Sequence, residues 1–335
     1  MPSPFDFDLP GNLEATEPPE ARGISRDEVR LLVSYRGSDR FVHANFRDLA
    51  WFLDPGDLVV VNDSATLPAA LSAREAAGHE FVLNLSTRLT GTTWVVEPRN
   101  AVVEVGAIVE LPGGGRARLL RPHRGSQRLW QAELEIPDSF LAYLRAWGRP
   151  ISYKYVRREW PIEAYQTVYA REPGSAEMPS AGRAFSPRVF DALARRGVRV
   201  EAITLHTGVA SLEAHEPPYE EWFKVPEQTA LAVELARSRG SRVVAVGTTV
   251  LRAMESSLDP SGRVEPRSGW TDLVITPGRT MRSATALLTG FHEPRASHLQ
   301  LLSAVADTGH IQVAYREALT HGYLWHEFGD MHLIL

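Results

Sequence analysis

Val243-Val244-Ala245-Val246-Gly247-Thr248-Thr249 is the stretch whose reading decides the fold. Four small apolar residues in a row, three of them β-branched, predict a short strand buried on both faces. The glycine ends the strand, and the two threonines open a helix predicted over 249–258. Working back toward the N-terminus, a helix is predicted over 226–239, with apolar Leu231, Val233, Leu235 and Ala236, closed by Gly240. Before it lies a strand over 198–205. Earlier still, Ser186-Pro187 reads as an N-cap followed by proline at the first helical position, with Gly197 at the far end. Strands that alternate with helices predict a mainly parallel sheet. The same reading places strands at 29–35 and 58–61, the second after the turn Pro55-Gly56-Asp57. Near the C-terminus it places helices at 297–306 and 311–320 and a last strand at 331–335. The first 25 residues, rich in Pro, Glu and Gly, read as an extended arm over a neighbouring surface.

Between about 65 and 144 the texture changes. Short β-rich runs at 81–85, 93–96, 107–111, 117–120 and 129–134 are separated by Gly or polar turns, including Pro112-Gly113-Gly114-Gly115. Such spacing predicts a small barrel or sandwich. The expected class is therefore α/β, a mainly parallel-sheet α/β domain (1–64 and 146–335) carrying an inserted small all-β barrel domain (65–145).

Composition narrows the function. The 335 residues hold 36 basic and 41 acidic side chains, a formal charge of −5, so any contact with nucleic acid must come from a local basic patch. The absence of cysteine excludes disulfides, thiolate nucleophiles and iron–sulfur ligation, and fits a cytoplasmic location. The start has no basic region followed by an apolar run, and no stretch approaches the roughly 20 apolar residues of a membrane span.

Several segments carry candidate chemistry. Gly247 lets a ligand approach the backbone, Thr248 and Thr249 offer hydroxyls and amides at a helix N-terminus, and Arg252 one turn later can pair with a carboxylate. Plain capping of a surface helix is the alternative. His206, followed by Thr207 and Gly208, sits at the carboxyl end of the 198–205 strand, where open α/β sheets bind ligands. It is either an acid–base group or a core histidine. Phe291-His292 and Phe328-Gly329-Asp330 are further candidates, each compatible with an ordinary turn. Tyr165 and Gln166, with Ser180 and Gly182 shortly after, could stack on a purine and read a base edge, or form a strand of alternating exposed aromatics. The tail residues His326, Glu327, Asp330 and His332 fit no common zinc spacing, so no metal is expected. There is no Gly-x-Ser-x-Gly elbow, and the glycines at 113–115 lack a dinucleotide-binding frame.

Taken in order, these pieces resemble one family, the S-adenosylmethionine:tRNA ribosyltransferase-isomerases of queuosine biosynthesis. Tyr165-Gln166-Thr167-Val168-Tyr169-Ala170 matches that family's Tyr-Gln-Thr-Val-Tyr-Ala outright. Phe5 to Pro10, Pro55-Gly56-Asp57-Leu58 with Asn62, Thr204-Leu205-His206, Val246-Gly247-Thr248-Thr249, Arg252, Glu255-Ser256, Pro277-Gly278, Phe291-His292 and Gly329-Asp330 follow in the family's order, over nearly the whole chain. The resemblance implies an α/β domain with an inserted barrel. It implies transfer and isomerisation of the ribosyl part of S-adenosylmethionine onto a 7-aminomethyl-7-deazaguanine base in tRNA, giving epoxyqueuosine, adenine and methionine. His206, His292 and Asp330 then become the proton-transfer candidates. Arg252, Thr248 and Thr249 would hold the methionine end or a phosphate, beside Tyr165, Gln166, Ser180, Gly182, Gly208, Gly247 and Phe291.

The chain departs from the family's motifs at several places. Pro-Thr-Ala-Gly-Leu-His-Phe becomes Pro179-Ser180-Ala181-Gly182-Arg183-Ala184-Phe185, and His-Val-Gly-Ala-Gly-Thr-Phe becomes 206–212 here, with Ala210 in place of a glycine. Thr-Asn-Phe-His becomes Thr289-Gly290-Phe291-His292, and Arg-Phe-x-Ser-Tyr-Gly-Asp becomes Leu324-Trp325-His326-Glu327-Phe328-Gly329-Asp330. The arginine expected at position 65 is Ala65. Changes at motif positions suggest an altered cavity, so two alternatives accompany the tRNA reaction. One is a paralogue using S-adenosylmethionine or a related nucleoside with a non-tRNA acceptor. The other is a non-catalytic nucleotide-binding protein.

Overall fold

The computed structural model describes residues 5–38, 40–209 and 219–335. Its backbone is a nine-stranded sheet built around β3 (Leu58–Asn62), which lies parallel between β12 (Arg199–Leu205) and β14 (Val243–Val246). These strands read as unbroken apolar runs because both faces are covered. Leu58, Val60, Val243 and Ala245 enter one core, beneath helices α3 (Glu227–Ser238), α4 (Thr248–Ser256), α5 (Ser297–Val305) and α6 (Thr308–Thr320). Their alternates Val59, Val61, Val244 and Val246 enter a second core beneath α2 (Pro187–Arg195) and the 3-10 helix Phe46–Phe52.

The α/β class holds, and the sheet itself is mixed. It is parallel through β12, β3, β14 and β16 (Ala286–Gly290). It is antiparallel where β13 (Glu221–Val225) and β15 (Arg267–Thr271) extend one side. On the other side β17 (Met331–Ile334) runs antiparallel to β16 and parallel to β1 (Arg30–Ser34), with β2 (Phe41–Asn45) antiparallel at the edge. The flanking strands β2, β13 and β15 escape sequence reading because they are short, polar and only half-covered, without the apolar run that marks β14.

The inserted β region is a closed six-stranded antiparallel barrel. Its strands are β5 (Ala70–Glu75), β6 (Glu80–Arg88), β7 (Thr93–Arg99), β8 (Ile108–Glu110), β9 (Arg116–Pro122) and β10 (Trp130–Glu135). Sequence reading finds every strand but β5, and it also passes over helix α1 (Phe140–Trp147), whose Tyr143 and Leu144 plug the barrel core. The chain leaves for the barrel through β4 (Ser64–Thr66), directly after β3, and returns through β11 (Glu172–Ser175), which pairs with β4 in parallel. The barrel therefore hangs over the carboxyl ends of the central strands. The N-terminal arm lies against the C-terminal loop, with Trp325 N–H donating to Leu13 O (2.8 Å) and Ala15 N–H to Trp325 O (3.2 Å). No helix among the described residues is long and apolar enough to cross a membrane.

At the carboxyl end of β3, the buried Asn62 ties the neighbouring strand in place. Its Nδ2 donates to Leu205 O (2.9 Å), and its Oδ1 accepts from Leu205 N (2.9 Å) and Ser64 N (3.1 Å). These backbone groups have no water to turn to. Asn62→Ala should therefore lower the unfolding free energy by about 3 kcal/mol, the cost of leaving buried donors and acceptors unpaired. Urea unfolding checks it, and a loss below ~1 kcal/mol would show that the clamp is dispensable.

Candidate active site

Three strand ends and the barrel wall enclose a cavity of about 270 Å³. Its floor is Val246-Gly247-Thr248-Thr249, where β14 turns into α4. Gly247 has φ 90°, a left-handed conformation that disfavours any side chain, and a Cβ there would sit 3.2 Å from Ala181 Cβ. The unpaired amides of the first turn of α4 are thereby directed at the cavity. The walls include Ser86 and Thr87 from β6, Thr207 and Gly208 after β12, Glu221 on β13, Glu177, Ser180, Thr289, His292 and His298.

The charged groups are arranged by pairing. Arg252 of α4 makes a close ion pair with Glu221, and also donates from Nε to Leu273 O at 3.1 Å. The other Glu221 oxygen accepts from Gly208 N (3.0 Å). Glu177 accepts from the Tyr153 hydroxyl. Two imidazoles, His292 and His298, stack face to face with centroids 4.5 Å apart and an interplanar angle of 2°. Burial, the first cause for each, pushes both toward the neutral form: His292, also repelled by His298 and His326, lies well below the ordinary histidine range, and His298, also repelled by the Arg252 guanidinium, is pushed down to about 4. His292 Nε2 is engaged with Thr289 Oγ1 (3.0 Å), whereas His298 makes no hydrogen bond among the described residues.

Of the residues singled out from sequence, Ser180, Gly208, Gly247, Thr248, Thr249, Arg252 and His292 line this one cavity. The others are placed elsewhere. His206 opens into an adjoining cavity, its Nδ1 hydrogen-bonded to Ser64 Oγ (2.8 Å) and its ring stacked on Trp222 (5.2 Å). Asp330 is buried away from both, its two oxygens held by the amides of Arg30 (2.7 Å) and Leu324 (2.8 Å), so it fastens β1 to the C-terminal loop. Phe291 is a core residue packed between Tyr315, Tyr323 and Trp325. Gln166 gives its side-chain amide to both backbone groups of Thr66 (3.0 and 2.7 Å), leaving nothing to read a base. Tyr165 packs on Phe328 in a 3-10 turn, Ile162–Tyr165, with no strand over 165–170. Gly182 is buried where a Cβ would collide with the Tyr169 hydroxyl. Sequence reading missed Glu177, Glu221 and His298. The last lies six residues beyond His292 on α5 and could have been found as its partner across a helix start.

Several of the motif departures also come together, whereas Ala65 lines a separate cavity beside α1. Arg183, Ala184, Gly290, His326, Glu327 and Phe328 all line one cleft of about 10 Å³ that shares Ser180 and Gly290 with the main cavity. Arg183 is buried there against Glu20 (2.8 Å). These substitutions refill one corner and leave the main cavity's charged groups in place. The departure at 210–212 lies outside the described residues. The tail residues His326, Glu327, Asp330 and His332 do not converge. The group of metal-capable side chains that does, His43, Glu317 and His321, lies on β2 and α6, where His43 is hydrogen-bonded to Tyr323 (2.8 Å) and Glu317 (3.1 Å).

Comparison with known proteins gives a consistent result. A family model described as queuosine biosynthesis protein matches residues 2–334. The S-adenosylmethionine:tRNA ribosyltransferase-isomerase of Symbiobacterium thermophilum is 38% identical over 344 residues, covering 99% of each chain. That of Desulforamulus reducens is 34% identical over 349 residues, with 99% of each chain covered. The crystal structure of S-adenosylmethionine tRNA ribosyltransferase from Thermotoga maritima matches with a TM-score of 0.57 and 30% identity, over 99% of this chain and 100% of that one.

The neutral imidazoles make a pH prediction. Unfolded histidine takes up a proton near pH 6.5, and folded His298 only near pH 4, so between these the unfolded chain binds more protons. This contribution to stability is constant above pH 6.5 and declines as pH falls toward 4. NMR titration of the ring resonances should give His298 a midpoint near 4, and His298→Gln should flatten the acid limb of a Tm-against-pH curve. A midpoint at 6 or above would place the ring in water.

Proposed function

Because the chain belongs to the queuosine biosynthesis family of S-adenosylmethionine:tRNA ribosyltransferase-isomerases, we propose that the cavity at the head of α4 binds S-adenosylmethionine as ribosyl donor for a 7-deazaguanine base in tRNA. The chain is an enzyme of that kind, a transferase and isomerase of tRNA modification whose products are epoxyqueuosine, adenine and methionine. We place it in the cytoplasm with its tRNA.

The charge pattern of the cavity carries the assignment to the donor. S-adenosylmethionine presents one carboxylate and two cations, the ammonium and the sulfonium. The cavity offers one guanidinium, Arg252, and two acidic side chains, Glu177 and Glu221, around a neutral histidine pair. The signs are complementary in number. The donor carboxylate would lie on Arg252 and the first-turn amides of α4, and the cationic groups would face the acids. On binding, Glu221 exchanges part of its pairing with Arg252 for the ligand's ammonium, so neither charge is left alone in a dry site.

The reaction needs a base near the carbon next to sulfur, because the sulfonium acidifies that position. His298 is suited to this. It is held neutral, its ring nitrogens have no hydrogen-bond partner among the described residues, and the stacked His292 fixes its plane. His292, tied to Thr289, is a positioning residue. Burial keeps the ring unprotonated across the neutral range, although it also makes it a weaker base than an exposed histidine, so the proton transfer relies on close placement against the acidified carbon. The barrel wall covers one side of the site through Ser86 and Thr87, and would limit the access of water to the reactive carbon.

Three measurements test this reading. Arg252→Ala should weaken S-adenosylmethionine binding about tenfold or more in a calorimetric titration, as expected for loss of a charge-assisted pair. His298→Gln should lower kcat about a hundredfold or more while leaving donor affinity within a few fold. Chromatography should find adenine released only when RNA bearing the 7-aminomethyl-7-deazaguanine base is present. Adenine release at the same rate without RNA would favour the non-tRNA acceptor, and full turnover by the His298 variant would remove it as base.

A further inference from the structure

The barrel and the sheet leave a second cavity, about 560 Å³, beside the donor cavity, and Thr87 lines both. Its character is different. Trp94, Trp222, Trp270, Phe140 and His206 face it. Trp222 of β13 and Trp270 of β15 are directly opposed across the antiparallel pair, and His206 stacks on Trp222. Trp270 is 44% exposed, its ring open at the cavity. Arg88, exposed at the rim, lies 6.0 Å from the Trp94 ring centre and 5.7 Å from that of Phe140. It donates to backbone carbonyls of Thr90 and Gly91 and has no carboxylate partner among the described residues.

This cavity continues into a third, of about 910 Å³, through the shared residues Leu67, Leu141 and Pro173. Three arginines line it, Arg99, Arg145 and Arg149, of which Arg99 pairs with Glu97 at 3.3 Å, and Trp160 is stacked under Arg158 at 3.8 Å. Two carboxylates, Glu159 and Glu163, also line it, and Arg149 pairs with Glu159 at 2.7 Å. Arg145 is exposed on α1 and makes no ion pair among the described residues. Arg88 and Arg145 are thus the two guanidiniums along this aromatic slot without a carboxylate partner among the described residues, in a chain with a net charge of −5.

From this continuity we infer that the aromatic cavity is the acceptor subsite, holding one unstacked nucleobase of an RNA loop against Trp270 and Trp222, while the flanking phosphates run along Arg88, Arg145 and Arg149. The inference rests on the proposed tRNA reaction and adds where the RNA sits. Sequence-specific RNA recognition takes unpaired loop bases, splayed out and stacked on aromatic or guanidinium faces. A slot sharing a wall with the donor cavity is where such a base must lie to receive the ribosyl carbon. His206 acquires a role here: it is a positioning residue that backs Trp222, with its own ring packed on Gly174, where a Cβ would come within 2.5 Å of the imidazole. A duplex could not enter, so the base must be extruded from its stack before transfer.

The test uses the full-length untagged chain and an anticodon stem–loop RNA carrying 7-aminomethyl-7-deazaguanine. RNA affinity is read by fluorescence anisotropy and S-adenosylmethionine affinity by calorimetry. Trp270→Ala should weaken RNA binding roughly tenfold, the usual size of one lost base–aromatic stack, with donor affinity within twofold of wild type. Trp270→Phe, which keeps a ring, should recover most of that loss. Arg145→Glu should weaken RNA binding several fold and make it less sensitive to salt, with donor affinity again unchanged. Wild type that binds the donor but not this RNA overturns the tRNA reading and the subsite with it. Wild type that binds the RNA, with the Trp270→Ala and Arg145→Glu chains binding it as tightly, overturns the subsite alone. Failure of Trp270→Phe to recover binding, with donor affinity intact, counts against stacking as its source.

Discussion

The candidate site depends on the registration of three strand ends. β3, β12 and β14 finish side by side, and the Asn62 side chain bridges the first two by bonding both backbone groups of Leu205. One residue later the chain departs for the barrel, and one residue after Leu205 stands His206. The same amide also approaches Thr249 Oγ1 at 3.4 Å, at the first turn of α4. A single buried amide thus ties the end of β12, the first turn of α4 and the stem of the barrel together. Because it is fully hydrogen-bonded, it costs little to bury and fixes one arrangement.

That constraint explains how one sheet presents two cavities of opposite character. Where β14 turns into α4, backbone amides, an arginine and two acidic side chains suit a small zwitterionic cation. Where β12, β13 and β15 run antiparallel beyond the parallel centre, aromatic rings accumulate, since each edge strand needs only one apolar face. The barrel supplies the common wall through Thr87 and neighbouring residues of β6. The division fits a reaction that must bring a soluble nucleoside and a macromolecular base together without water between them.

The parts legible in the sequence are those whose cause is local. Val243–Val246 followed by Gly247 could hardly be anything but a buried strand entering a helix, and Arg252 one turn on had to face the same way. The barrel was readable from strand spacing. The misplacements share another cause. Asp330 and Phe291 sit beside glycine or histidine in recognisable motifs, yet their side chains are consumed by packing and backbone amides, which no spacing reveals. Glu221, His298 and the Trp222–Trp270 pair were invisible for the converse reason. Each lies in a segment with no pattern of its own and gains meaning only when β13, β15 and α5 are folded against the central strands.

The most direct measurement is diffraction from crystals of the full chain grown with S-adenosylmethionine. The amino-acid end of the ligand should lie at Arg252 and the first turn of α4, with the carbon next to sulfur within reach of His298. Ligand density in another cleft, or an orientation that turns the sulfonium away from the two stacked imidazoles, would contradict it.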